Sequence, residues 1–130
     1  MCVLPPDGQE GEVVVKVYRT FTENLRQLRF WLQALKVTEV AMESTGVFWR
    51  PVWNVLEGHF RLLLVNPAQV KALAGRKSDR RDARRIAEFL RDQRLDASFV
   101  PPPEIRYLRE LLRDRVSLVE ERTRVGNQIR

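Results

Sequence analysis

Three carboxylates in this sequence stand where they could do chemistry. Glu43 follows the short apolar run Thr38 to Met42, and open α/β sheets place their functional groups just past the ends of such strands. Asp79 and Asp82 are three residues apart, so on a helix they project from one face, close to a start where the helix dipole favours negative charge. Carboxylates converging on a sheet edge suit a hard, oxygen-liganded cation such as Mg²⁺. Two such ions, about 3.5–4 Å apart, support phosphoryl transfer by activating a water and stabilising the leaving oxygen. Spacing alone also admits a plainer reading, in which Asp79 and Asp82 cap a helix and pair with Arg80, Arg84 or Arg85.

The charge distribution points the same way. The chain has 130 residues, 23 Lys+Arg against 17 Asp+Glu, and a formal charge of +6. Residues 1–70 hold seven basic and seven acidic side chains, residues 95–130 hold seven and six, and residues 71–94 hold nine and four. Nearly all the excess sits in that middle stretch, the footprint of a surface that meets a polyanion. Lys71, Arg76, Lys77, Arg80, Arg81, Arg84 and Arg85 are its candidate phosphate contacts; the alternative is an Arg-rich solvated helix face. With 44% hydrophobic and 31% charged residues the chain is too apolar for a disordered basic tail. No run of about 18 apolar residues suggests a membrane span, and the opening lacks the layout of a signal peptide, so a cytoplasmic protein is expected. A single Cys2 and a single His59 exclude an internal disulfide and a zinc-type ligand cluster.

These residues need elements to position them. Glu12 to Tyr18 is β-branched and reads as a strand, with Leu4 to Tyr18 forming the second half of a hairpin through Pro5-Pro6-Asp7-Gly8. Thr20-Phe21-Thr22-Glu23 fits a capping box, and Leu25, Leu28, Leu32 and Leu35 predict an amphipathic helix over roughly 22–36. Strand 38–42 leads through Ser44-Thr45-Gly46 into a helix with Trp49, Val52, Trp53 and Leu56 on its apolar positions and Gly58 as its stop. The two tryptophans are expected in the core. A strand over Phe60 to Val65 ends at Asn66-Pro67, and a short helix from Pro67 to Leu73 follows. Ser78 is the natural N-cap of a helix with Ala83, Ile86, Ala87 and Leu90 on one face. Beyond Pro101-Pro102-Pro103, Ile105, Leu108, Leu112, Val116 and Val119 mark a long helix with one narrow apolar stripe. That stripe serves either a coiled coil between copies or packing on the chain's own sheet. Alternating strands and helices argue for an α/β fold with crossovers.

Three sequence words sharpen the reading. Glu43-Ser44-Thr45-Gly46 with Trp49, then Asn66-Pro67, then Lys77-Ser78-Asp79-Arg80-Arg81-Asp82-Ala83 closely resemble the N-terminal domain of the DEDD transposases of the insertion sequence 110 (IS 110) family, in the family's order. The resemblance extends across essentially the whole chain. It implies a ribonuclease H-like (RuvC-like) mixed sheet with flanking helices over residues 1–100, then the start of a long coiled-coil helix over 101–130. It implies Mg²⁺ held by an Asp, a Glu and two further Asp, with Glu43, Asp79 and Asp82 matching the last three. DNA is the implied substrate, a bridge RNA the implied guide, and the terminal helix the implied route to a homo-oligomer.

The sequence departs from the family pattern at both ends. The family's first Asp lies on a strand upstream of the hairpin half that opens this chain, and Asp7, in its Pro-Pro-Asp-Gly turn, does not replace it. The C-terminal domain bearing a catalytic Ser is not present among these residues, and Ser117 on the terminal helix is not its equivalent. The expectation is therefore a fragment that is inactive alone, because catalytic groups act as a unit. The alternative is a non-catalytic remnant that grips bridge-type RNA or DNA through residues 71–94.

Overall fold

The computed structural model describes residues 1–4, 11–74 and 79–129, with backbone only at residues 73–74 and 79–81. The chain divides into two compact units, Met1–Ser98 and Phe99–Arg130. Among the described residues the first unit is mixed α/β, holding two short sheets and four of the five helices.

Strand β1 (Cys2–Val3) pairs antiparallel with β2 (Val14–Val15), as the hairpin reading requires. The ladder is shorter than the β-branched run from Glu12 to Tyr18. Lys16 exchanges backbone hydrogen bonds with Met1 just beyond the ladder. Helix α1 (Thr22–Ala34) buries Leu25, Leu28 and Leu32 at the predicted spacing. Two details of its ends differ from expectation. Phe21 is the N-cap and makes no side-chain bond, so Thr20 lies one position too early to close a capping box. The helix stops at Ala34 because Lys36 adopts a left-handed φ of 56°, which turns Leu35 out to 44% exposure.

Strands β3 (Glu39–Glu43) and β4 (Arg61–Val65) are parallel and in register, Glu39 opposite Arg61 and Glu43 opposite Val65. Helix α2 (Trp49–Leu56) forms the crossover between them, the expected βαβ arrangement. Gly58, at φ 80°, ends the crossover. Glu43 is the last residue of β3 rather than the first beyond it, because the Ser44 N–H donates to Val65 C=O at 2.9 Å and carries the ladder one step further.

The core cluster is Leu25, Leu28, Leu32, Val40 and Leu56. Burying each leucine side chain of that cluster stabilises the unit by about 1.5–3 kcal/mol. Met42 and Leu62 pack on the same cluster, so strand alternation puts Ala41, Glu43, Leu63 and Val65 on the other face of the sheet. Helix α3 (Pro67–Ala74) and helix α4 (Asp79–Arg91) follow. Helix α4 lies against both β1 and β3, and none of its residues joins the α1/α2 cluster, so it covers that second face. Among its described side chains Phe89 is buried, whereas Ala83, Ile86, Ala87 and Leu90 are half-buried. The predicted N-cap Ser78 lies outside the described residues. In the second unit, helix α5 (Pro103–Ile129) buries no residue and leaves its stripe from Ile105 to Val119 exposed. Among the described residues no helix is long and apolar enough to cross a membrane.

Candidate metal centre and nucleic-acid interface

The two parallel strands end on one side, and each hands its chain to a polar loop. After β4, the Asn66 Oδ1 accepts the Ala68 N–H at 2.8 Å, and Pro67 occupies the first helical position, so the Asn-Pro pair starts α3. After β3, Gly46 sits at φ 56°, a left-handed conformation that L side chains rarely adopt. The turn therefore needs glycine. It projects Val47 and Phe48 into solvent, Phe48 at 73% exposure.

Glu43 is half-buried at the head of this turn. The Thr45 hydroxyl donates to its Oε1 at 2.5 Å, fixing the carboxylate from two residues away. Glu43 faces the side on which α4 packs, and Asp82 is half-buried in the first turn of α4. Among the described residues neither Glu43 nor Asp82 makes an ion pair. Asp79 opens α4, and its side chain lies outside the described residues. No cluster of three Asp, Glu, His or Cys side chains able to hold a metal occurs among the described residues. The structure thus brings the elements carrying Glu43 and Asp82 together, with no hydrogen bond linking the two carboxylates. The donor set is oxygen only, and among the described residues no basic side chain pairs with Glu43 or Asp82, which fits a hard divalent ion such as Mg²⁺.

The cationic candidates fall into three groups. Lys71 is exposed on α3. Arg84 is held by Glu88 one turn on, at 2.9 Å, and not by Asp82, which removes one partner from the helix-capping reading of that acid. Arg85 is half-buried. Arg76 and Lys77 lie outside the described residues, as do the side chains of Arg80 and Arg81.

Trp53 is buried, edge-on to Trp49 at 5.9 Å, and its Nε1–H donates to Glu57 at 3.2 Å. Trp49 is only half-buried and carries the Arg50 guanidinium 5.9 Å above its ring, so the pair is core at one end and surface at the other. His59 meets Arg29 and Gln33 at 3.3 and 3.4 Å, an ordinary surface network. Sequence reasoning did not assign Thr45 its role as the orienting group of Glu43, although a hydroxyl two residues after a carboxylate is the available signal. It also gave no weight to Glu88, whose position four residues after Arg84 was visible.

The family model DEDD_Tnp_IS110, described as Transposase, matches residues 1–130. No curated protein matches the chain.

Proposed function

The chain belongs to the transposases of the DEDD IS110 family, and from that membership and the geometry above we propose that residues 1–100 form a ribonuclease H-like domain that binds DNA around a carboxylate-held Mg²⁺ site. One observation carries the reading: Glu43, oriented by Thr45, ends a parallel strand on the face against which the Asp-bearing helix α4 packs. Glu43, Asp79 and Asp82 hold the ion in this proposal. The metal supplies charge neutralisation and water activation in DNA strand cleavage and exchange. The protein's own part is to position. Thr45 keeps the Glu43 carboxylate turned out of the sheet, and Lys71, Arg76, Lys77, Arg80, Arg81 and Arg85 hold phosphates beside it.

These residues match three of the four DEDD acids, so the segment by itself binds DNA without cutting it. The exposed stripe of α5 fits a coiled coil over residues 101–130 and a homo-oligomer built on it. A bridge-type guide RNA would use the same cations as DNA. Calorimetric titration of Mg²⁺ into the chain and into Glu43→Gln and Asp82→Asn tests the metal role. The expected result is weaker binding in both variants, and equal affinity in all three refutes it. A second reading, a purely nucleic-acid-gripping remnant, draws on the nine basic against four acidic side chains of residues 71–94. It predicts DNA affinity that is steeply salt-dependent yet indifferent to Mg²⁺.

A further inference from the structure

The turn that leaves β3 carries two adjacent apolar side chains outward, Val47 at 55% and Phe48 at 73% exposure. Exposed apolar residues are ordinary on a protein surface, so exposure alone assigns them nothing. The position of Phe48 is more telling. It is the N-cap of α2, in helical backbone conformation at φ −67° and ψ −23°, and its side chain makes no capping bond. A Ser, Thr, Asp or Asn there would satisfy a helical N–H that a phenyl ring cannot. The ring thus gives the fold no cap and little buried surface.

The backbone around it is fixed at several points. Gly46 holds its left-handed conformation at φ 56°, and the Phe48 ring lies beside it, 3.5 Å from where a Cβ on that glycine would stand. The Arg50 N–H donates to Val47 C=O at 3.2 Å and closes the next turn. On the other side of the glycine, the Thr45 hydroxyl holds the Glu43 carboxylate. One short connection therefore carries both the oriented acid and the exposed ring. The Arg50 guanidinium, 5.9 Å from the Trp49 ring, adds a cation to the same helix start. An open aromatic face, next to a guanidinium and a site for an anionic chain, suits the π face of a nucleobase. Bases inside a duplex are already stacked on both sides, so only an unpaired or extruded base has a free face to offer.

We propose that Phe48 is a base-stacking residue that selects DNA with an unpaired base next to the phosphate at the acidic site. This rests on the carboxylate site being a DNA site, and it makes Phe48 a specificity determinant rather than a ligand of the metal.

Fluorescence anisotropy on the full chain tests it, with two DNA probes of the same sequence: a short fully paired duplex, and that duplex with one unpaired adenine bulged from one strand. The unsubstituted chain binds the bulged probe more tightly. Phe48→Ala weakens binding to the bulged probe by about tenfold and to the paired probe by less than about twofold. Phe48→Trp keeps the preference, whereas Phe48→Leu, apolar but without a π face, loses it. Phe30→Ala is the control and leaves both affinities unchanged. Phe30 is 61% exposed on α1, next to Arg29, which meets His59 at the entry to β4 and so at the opposite end of the strands from Glu43. Thermal melts of all variants match that of the unsubstituted chain. A chain that binds neither probe overturns the DNA reading and this proposal together. Salt-dependent binding to both probes without a preference, or with a preference that Phe48→Ala leaves intact, overturns this proposal alone. An equal loss on both probes overturns it too, as does a Phe48→Leu chain that binds the bulge like the unsubstituted one, which marks a greasy contact rather than stacking. A Phe48→Ala melt well below that of the unsubstituted chain also overturns it, by assigning the ring to the fold.

Discussion

Replacing Glu88 by Gln should tighten DNA binding and steepen its salt dependence. Each neutralised phosphate contributes about −0.9 to the slope of log K against log salt, so all seven candidate cations together would give a slope near −6. Arg84 is withdrawn from that set by its 2.9 Å bond to Glu88. The remaining six give a slope of about −5, and affinity falls roughly a thousandfold between 50 and 200 mM salt. Glu88→Gln releases Arg84 and adds about −0.9 to the slope. The pair is largely solvated, with side-chain exposures of 58% and 36%, so it is worth less than about 1 kcal/mol and the gain in affinity stays below about fivefold. The helix itself loses about 0.3–0.5 kcal/mol, which a thermal melt can follow separately. The assay is fluorescence anisotropy on a short duplex across a salt series, with Glu23→Gln as the control. That variant also removes one acidic charge, and the cation it releases, Arg26, lies on α1 outside the basic segment. A Glu88→Gln slope equal to that of the unsubstituted chain would refute the reasoning, because the released Arg84 would then add no phosphate contact.

Three further outcomes test separate steps. Leu56→Ala, at a fully buried position, should destabilise the first unit by about 2–5 kcal/mol in urea unfolding, whereas Leu112→Ala on the exposed face of α5 should change stability by less than about 0.5 kcal/mol. Thr45→Val keeps the side chain's size and deletes the donor to Glu43; Mg²⁺ affinity should fall about tenfold by calorimetry, and an unchanged Kd would show that Thr45 does not orient a ligand. Burial chiefly, assisted by Glu88 and opposed by the amino terminus and Arg84, pushes the Cys2 thiol above its ordinary value of 9.0, so iodoacetamide at pH 8 should label the native chain more slowly than the urea-unfolded one. Because the folded value is the higher, this thiol's contribution to stability is complete below about pH 9 and is lost as pH rises through the folded value, a fall that Cys2→Ala should remove.

Periodicity found the helices because a leucine every three or four residues leaves one interpretation. Leu25, Leu28 and Leu32 are buried as that spacing requires, and Trp53 and Leu56 follow the same logic on α2. Ends were less legible than faces. A Thr-x-x-Glu word at Thr20 did not become a capping box, since the chain placed Phe21 at the cap. Helix α1 ended early through a left-handed lysine, a conformation no residue preference announces. On α4, Ala83, Ile86, Ala87 and Leu90 line one cavity together, as a shared face requires, and each is half-buried there.

The candidate site divides along the same line. Glu43 and Asp82 were visible from residue type and position, whereas the hydroxyl that fixes Glu43 and the ion pair that removes Arg84 depend on side-chain direction. Composition could not reveal that the two acids share a face. Strand alternation turns Glu43 to the side of the sheet on which α4 packs, and Asp82 lies in the first turn of that helix. A cation held by both carboxylates would tie the last residue of β3 to the start of α4, so packing that restrains either element would favour the ion and the ion would restrain both, by thermodynamic linkage.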